Sequence, residues 1–266
     1  MSNWLIYASM SVAIALVLTA LFFFTITRGT LLMRAVTGRA DSDAAHVYPV
    51  YSSMWLIRLI DYQPIISAIL LFQYHRLVGE ITSGLRSMDL DGQEMLITSC
   101  AFGDVIPQVV STAIDAGARK VQVLDIIHNE LEHARAKLPQ YLDKVTMREE
   151  NCTATKVASG SVKANVIFFL LHELPHHLKG KALQEAVRVL APGGALYLAE
   201  FHRPEPWALR TLSWTYFKAF EPLGLALWNS HDPLKQLQAI GGLTCTRKTV
   251  FYGNFQIIVA TKDSAV

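Results

Sequence analysis

Residues 96–103 read L-I-T-S-C-A-F-G, an apolar run that passes into small residues and ends at Gly103. Between residues 94 and 260, further short apolar runs alternate with helical patterns, as in a parallel sheet covered on both faces. Two later runs flank a short turn and read as an antiparallel hairpin. We therefore predict an α/β fold with parallel strands at 95–99, 120–124, 146–149, 166–171 and 195–201, closed by a hairpin of 245–251 and 255–260.

Composition and charge exclude some classes of function. The 266 residues contain 24 Lys and Arg against 22 Asp and Glu, so no broad basic field is present and nucleic acid is not an expected partner. Cys100, Cys152 and Cys245 lie far apart and show no C-x-x-C spacing. Neither a zinc site nor a disulfide framework is indicated, which suits a reducing compartment.

The first residues predict a membrane anchor. Residues 4–27 carry no charge and are long enough to cross the hydrocarbon core as a helix, whereas a signal peptide would be shorter and preceded by basic residues. Arg28, Arg34 and Arg39 follow the run, which places the rest of the chain on the cytoplasmic side of an inner membrane. We predict an anchor at 1–28, a connector and helical cap at 29–93, and a ligand-binding Rossmann-like domain at 94–266.

A second stretch, residues 207–228, mixes aromatic residues with charged ones. The charges exclude a second membrane span. The pattern suits an interfacial helix or the lining of a lipophilic pocket, and it is equally typical of a helix that covers the sheet.

Ligands of open α/β sheets bind beyond the carboxyl ends of the strands. Asp125 ends the second predicted strand 22 residues after Gly103, where a Rossmann-like fold places the carboxylate that accepts hydrogen bonds from ribose hydroxyls. The same residue could cap the following helix. Asn151 and Cys152 follow the third strand, at the usual position of an adenine ring.

The ends of the fourth and fifth strands carry titratable residues. His172 and Glu173 follow the fourth strand, and His202 follows the fifth. A histidine oriented by a carboxylate can move a proton near neutral pH, so we predict a catalytic role for all three. The alternative is a structural histidine beside a carboxylate that begins a helix.

The loop at 96–103 resembles the cofactor loop of class I S-adenosylmethionine (SAM) methyltransferases, in which an acidic residue precedes three spaced glycines. In that register Ile97 replaces the acid, Ser99 and Ala101 replace two glycines, and Gly103 is retained. The resemblance implies the class I methyltransferase fold with SAM bound at Ser99, Ala101, Gly103, Asp125, Asn151 and Cys152.

Several further segments resemble the rhodoquinone-biosynthesis family typified by RquA, a divergent branch of these enzymes. They are Y-P-V-Y at 48–51, C-A-F-G-D-V-I-P at 100–107, F-F-L-L-H-E-L-P at 168–175, F-H-R-P at 201–204 and F-Y-G-N-F-Q at 251–256. The resemblance runs from about residue 48 to the C-terminus and leaves the anchor outside.

This resemblance implies that a ring methoxy group of membrane-embedded ubiquinone is replaced by an amino group, with SAM as the amino donor and Mn²⁺ assisting. His172 is then the candidate base, because the SAM amine must lose a proton before it attacks the quinone ring. Asp104, Glu173 and His202 are candidate Mn²⁺ ligands. Tyr48 and Tyr51 are candidate residues of a lid over SAM or the quinone, or ordinary packing residues.

Two other functions are consistent with the same residues. The fold and Asp125 serve equally for a conventional SAM-dependent methyltransferase that acts on a quinone or another lipophilic substrate. A membrane-bound binding module with a decayed SAM pocket is the third hypothesis, which the titratable residues at the strand ends make less attractive.

Overall fold

The computed structural model describes residues 53–100, 102–219 and 221–264, together with six isolated positions among the first 17 residues. The predicted anchor therefore lies outside the described residues apart from those positions, as do Tyr48, Tyr51 and Ala101. Among the residues that are described, no helix combines the length and apolar character needed to cross a bilayer.

One sheet organises the described residues. Its seven strands are arranged in the order β3-β2-β1-β4-β5-β7-β6, with β1 to β5 parallel and β7 antiparallel to both β5 and β6. The strands are β1 Glu94–Thr98, β2 Lys120–Asp125, β3 Val145–Glu149, β4 Val162–Phe168, β5 Leu190–Phe201, β6 Leu243–Val250 and β7 Phe255–Lys262. The predicted α/β class and the closing hairpin are thus confirmed.

Helices cover both faces of this sheet. They are α1 Met54–Ile60, α2 Gln63–Ile69, α3 Tyr74–Arg86, α4 Val105–Asp115, α5 His128–Ala136, α6 His176–Arg188, α7 Trp207–Ala219 and α8 Pro233–Ile240. Successive residues of β1 point to opposite faces: Met95 and Ile97 join the core formed with α3, α4 and α5, whereas Leu96 joins the core formed with α6 and α8.

The structure corrects the prediction for two strands. Strand β4 ends at Phe168, and the chain turns at Phe169, whose φ of 54° is incompatible with an extended strand. The apolar run continues to Leu171 because these residues pack into the core beyond the strand. Strand β5 begins earlier than predicted, at Leu190, which pairs with β4. The register then shifts, so that residues 191–194 form an irregular bulge inside the strand.

Helix α3 approaches the sheet closely at one glycine. A Cβ added to Gly84 would overlap the ring of Tyr197, a buried residue of β5. Gly79 lies on the same helix and has open space around the corresponding position. The packing of the helical cap against β5 therefore depends on the missing side chain at Gly84.

We expect Gly84→Ala to destabilise the protein by about 2 kcal/mol, because the rigid Tyr197 ring must move to accept the methyl group. Gly79→Ala is the matched control and should raise stability by about 0.5–1 kcal/mol, since alanine favours helix. Denaturant unfolding of both variants measures the difference. Equal stabilities would show that α3 does not pack on Tyr197 as described.

Candidate active site

The loop that follows β1 has the backbone conformation of a glycine-rich turn. Ser99 adopts φ of 80° and Gly103 adopts φ of 84°, both in the region that favours glycine. A Cβ at Gly103 would overlap the hydroxyl group of Tyr74, so only glycine fits there. Ser99 therefore keeps the backbone conformation of the glycine that it replaces in the predicted register.

Carboxylates from outside the loop hold it in place. The backbone N–H of Cys100 donates to Asp125 Oδ2 at 2.7 Å, and that of Gly103 donates to Asp61 Oδ1 at 2.5 Å. Ile97, which stands where class I enzymes carry an acid, is buried in β1. The loop is thus bound to carboxylates of two other elements, one at the end of β2 and one directly after α1.

Asp61 is the centre of a small, partly buried network that sequence reasoning missed. Its Oδ2 lies 2.7 Å from His133 Nε2 and 2.6 Å from Lys137 Nζ, and Lys137 also donates to the Gly103 carbonyl at 2.8 Å. The network joins the helical cap, α5 and the first loop. Only the isolated acid between two apolar helices of the cap could have indicated it.

A cleft lies at the carboxyl edge of the strands. Five of the predicted site residues line it, namely Ser99, Asp125, Asn151, Cys152 and Glu173. The rest of the lining is mainly apolar and comes from the segments after β2 and β4, with Leu170, Leu174 and Leu178 among its members.

Asp125 lies at the end of β2 as predicted, and it has structural partners of its own. Its carboxylate accepts the N–H groups of Cys100 and Ile127 at 2.7 and 2.8 Å, so it also organises the start of α5. Burial raises the pKa of this carboxyl, while its hydrogen bonds, one of them from the Ser99 side chain, oppose the rise.

The two thiols in the cleft are not activated nucleophiles. Burial, followed by the charge of Asp125, raises the pKa of Cys152 to about 12, and the same two causes raise the pKa of Cys100. A thiol in this state remains protonated at neutral pH. Cys152 and Asn151 therefore offer polar contacts, and the Asn151 amide oxygen already accepts the N–H of Thr153.

His172 is not among the residues that line the cleft, although its Nε2 lies 3.9 Å from Oε1 of Glu173, which lines it. The histidine is 6% exposed, and its Nδ1 lies 3.1 Å from Glu200 Oε1, a fully buried carboxylate of β5. Burial lowers the pKa of His172, but Glu200 and the more distant Glu221 and Glu173 outweigh it and raise the pKa to about 9. The imidazole therefore holds its proton at neutral pH, which does not suit a general base.

A second buried cation stands beside this pair. Lys179 of α6 is fully buried and donates to the Leu171 carbonyl. Burial lowers the pKa of Lys179 to about 8, although Glu200, Glu221 and Glu173 oppose the change. His172, Lys179 and Glu200 thus form a buried charge cluster under the turn that carries Glu173 into the cleft.

The predicted Mn²⁺ ligands do not form one site. Among the described residues, no group of three or more His, Cys, Asp or Glu side chains is arranged to hold a metal ion. The Nδ1 of His202 lies 2.7 Å from the Gly253 carbonyl oxygen, which ties β5 to the closing hairpin, and its Nε2 faces Arg247. Asp104 precedes α4, beside the buried Tyr74. Of the three, only Glu173 lines the cleft.

Glu130 is a cleft residue that the sequence did not reveal. It is the third residue of α5, it is 3% exposed, and burial, then Asp125 and Glu173, raise its pKa to about 9. The only signal in the sequence is its spacing from Asp125, which puts it little more than one helical turn beyond the strand end.

Comparison with known families agrees with this geometry. A sequence model of the ubiE/COQ5 methyltransferase family matches residues 41–240, which is most of the chain and includes the whole cleft. The chain belongs to the ubiE/COQ5 methyltransferase family. Membership implies SAM as the ligand, and the left-handed loop and the strand-end Asp125 fit it. No curated protein matches the chain in a sequence search.

Solved structures support the same fold. A protein from Bacillus halodurans C-125 assigned as a methyltransferase is 18% identical, with a TM-score of 0.53 over 70% of this chain and 100% of its own. An assigned SAM-dependent methyltransferase from Methanococcus maripaludis is 13% identical, with a TM-score of 0.55 over 80% of this chain and 94% of its own. The [4+2]-cyclase SpnF is 16% identical, with a TM-score of 0.52 over 70% and 81%.

We expect His172→Leu to destabilise the protein by about 3 kcal/mol, because it leaves Glu200 charged in the core without the imidazolium that contacts it. The raised pKa of His172 sets the pH dependence: the penalty should be full below pH 6.5 and should shrink as pH rises through about 9. Denaturant unfolding at several pH values measures it. The double variant with Glu200→Gln should recover at least half of the loss, and no recovery would contradict the ion pair.

Proposed function

We propose that this protein converts ubiquinone to rhodoquinone, with SAM supplying the amino group. The resemblance of the motifs to the rhodoquinone-biosynthesis family supports the proposal, and so does the state of the first loop. This loop keeps the left-handed conformations at Ser99 and Gly103 although the usual acid is replaced by Ile97. The altered loop beside an acidic cleft is the observation that carries the proposal.

The lining of the cleft divides by chemistry in a way that suits this reaction. Asp125 would accept hydrogen bonds from the ribose, and Asn151 and Cys152 lie where an adenine ring would bind. The apolar side formed by Leu170, Leu174 and Leu178 suits a quinone ring with its prenyl tail. SAM would supply the nitrogen: its amine forms a bond to the ring carbon as the methoxy group leaves as methanol. The bond between this nitrogen and the SAM α-carbon then breaks, with loss of a proton from the β-carbon, so that the rest of SAM leaves as an unsaturated acid and the ring keeps the amino group.

His172 acts in this scheme as a positioning residue. Both its backbone N–H and its ring interact with Glu200, which fixes the turn after β4. Glu173, the next residue, then enters the cleft from that turn. The resemblance also implies Mn²⁺, but the predicted ligand set does not fit a metal site, so no step is derived through a metal.

A conventional SAM-dependent methyltransferase that acts on a quinone or another lipophilic substrate is the second candidate. The family match favours it directly. Asp125, the cleft and the apolar lining would serve methyl transfer equally well. The two functions differ in whether nitrogen or a methyl group reaches the substrate, and mass spectrometry of the product separates them.

We expect the purified full-length protein, given SAM and a short-chain ubiquinone with and without Mn²⁺, to form the aminoquinone and methanol. Asp125→Ala is the control and should lose activity at low SAM concentration, because the ribose loses its hydrogen-bond acceptor and the loop loses the bond to Cys100. A methylated quinone with S-adenosylhomocysteine and no aminoquinone would replace this function by methyl transfer.

We propose further that the domain rests on an inner membrane, on its cytoplasmic side, next to its substrate. Trp207 and Trp214, seven residues apart on α7, are 80% and 49% exposed, and Lys218 lies over the Trp214 ring. The buried face of α7 packs through Phe217 on Phe201, at the carboxyl end of β5. The aromatic face is thus at the same edge of the sheet as the cleft, and aromatic residues beside a cation suit the bilayer interface.

Bromine-labelled lipid in vesicles should reduce the tryptophan emission of the full chain. The reduction should be smaller in the Trp207→Ala/Trp214→Ala double variant, because these two rings reach the headgroup region and are no longer there to be quenched. Trp228→Phe is the control, since Trp228 packs against the core. If the bromine label reduced the emission of the double variant by as much as that of the wild type, α7 would be excluded as a bilayer contact.

A further inference from the structure

The carboxyl group of Glu130 is buried in the wall of the cleft without a complete set of partners. Its side chain lines the cleft and is 3% exposed, and its Oε1 has no hydrogen-bond partner among the described residues. Buried polar atoms in native proteins are nearly always satisfied, since an unsatisfied one costs about 1–3 kcal/mol. An unsatisfied carboxyl oxygen in the wall of a ligand cleft therefore indicates a polar ligand atom.

The charges around Glu130 indicate the sign of that ligand. Asp125 at the end of β2 and Glu173 in the turn after β4 line the same cleft, and the charges of Lys137 and Asp61 also act on Glu130. Three carboxyl groups thus line one cleft. The pKa of Glu130 is raised because this site disfavours a further negative charge. A bound cation would reduce that unfavourable interaction.

Position along the cleft indicates which part of the ligand lies here. Lys137 and Asp61, whose charges also act on Glu130, are the side chains that hold Gly103 of the first loop. Asn151 and Cys152 line the cleft after β3, the strand on the far side of β2 from β1. Glu130 therefore lies toward the loop end of the cleft, opposite the adenine end. SAM has two cationic groups, the sulfonium and the α-ammonium group of its amino-acid end, and of these only the α-ammonium group can donate a hydrogen bond to a carboxyl oxygen that lacks a partner.

We propose that Glu130 is the residue that receives the α-ammonium group of SAM, with Glu173 on the opposite side. The proposal rests on the proposed function only in taking SAM as the ligand. A free α-ammonium group has a pKa of about 8, below that of Glu130, so both groups carry a proton before binding near pH 7. The bound pair shares one proton and releases the other to solvent.

This arrangement matters for amination. The Glu130 carboxyl group is positioned to take the shared proton from the ammonium group when the amine attacks, so that the amine regains its lone pair. An amine in that state can attack an electron-poor ring without a separate base. His172, whose raised pKa keeps it protonated at neutral pH, is then not needed as the base.

Calorimetry with the full-length protein tests the proposal through three ligands. SAM and S-adenosylhomocysteine carry the α-ammonium group, whereas 5′-methylthioadenosine has the same nucleoside without the amino-acid part; the last two both have a neutral sulfur, so they differ in the amino-acid part and not in the sulfonium charge. We expect Glu130→Gln to weaken binding of SAM and of S-adenosylhomocysteine at least tenfold and to change binding of 5′-methylthioadenosine less than twofold. Glu132→Gln, an exposed acid on the same helix, is the matched control and should change none of them.

Proton release provides an independent readout. In buffers of different protonation enthalpy near pH 7, the wild-type protein should release about one proton when it binds SAM, and Glu130→Gln should release close to none. The variant should remain folded and should lose less stability than the wild type as pH rises from about 5 to 8, because the wild-type carboxyl is increasingly costly to keep neutral over that range.

The outcomes separate this proposal from the function that it builds on. The assignment would be overturned if Glu130→Gln lost equal affinity for SAM and for 5′-methylthioadenosine, or if its affinity for SAM were unchanged. A variant that loses wild-type Mn²⁺ binding but keeps SAM binding would also overturn it. If Glu130→Gln shows the expected selective loss while the wild type makes no aminoquinone, the assignment stands and only the amination is refuted.

Discussion

The hydrogen bonds that carboxylates from outside the first loop accept from its backbone are the constraint on which the rest of the site depends. A tight turn after a buried strand exposes N–H groups that cannot remain unsatisfied. In this chain Ile97 replaces the usual acid, and Asp61 and Asp125 accept from Gly103 and Cys100 respectively. Asp125 also lines the cleft, whereas Asp61 ties α5 to the cap.

Two buried acids of this protein differ in whether a cation compensates their charge, and this difference distinguishes a structural carboxyl group from one suited to bind a ligand. Glu200 is fully buried and paired with His172, so its charge is compensated inside the fold. Glu130 is almost as buried, yet it has other acids around it and an oxygen without a partner. A compensated carboxylate holds elements together, whereas an uncompensated one in a cleft is suited to exchange a proton with a ligand.

The sequence was sufficient where a pattern is local, and insufficient where a contact joins distant segments. Alternating apolar runs predicted the strands, and the spacing from Gly103 located Asp125 at the end of β2. The direction of His172 could not be predicted, because it depends on Glu200, which is buried in a strand 28 residues later. Asp61 and Glu130 were missed for the same reason: each gains its importance from residues that only the folded sheet brings near.

The salt-bridged position of Asp61 has a thermodynamic consequence. Its carboxylate joins the first helices of the described chain to the loop that contacts the ligand, through His133, Lys137 and Gly103. Two parts connected in this way are coupled, and the coupling free energy is the same in both directions. A ligand that orders the loop therefore also stabilises the packing of the first helices. Displacement of these helices weakens binding of the ligand by the same free energy.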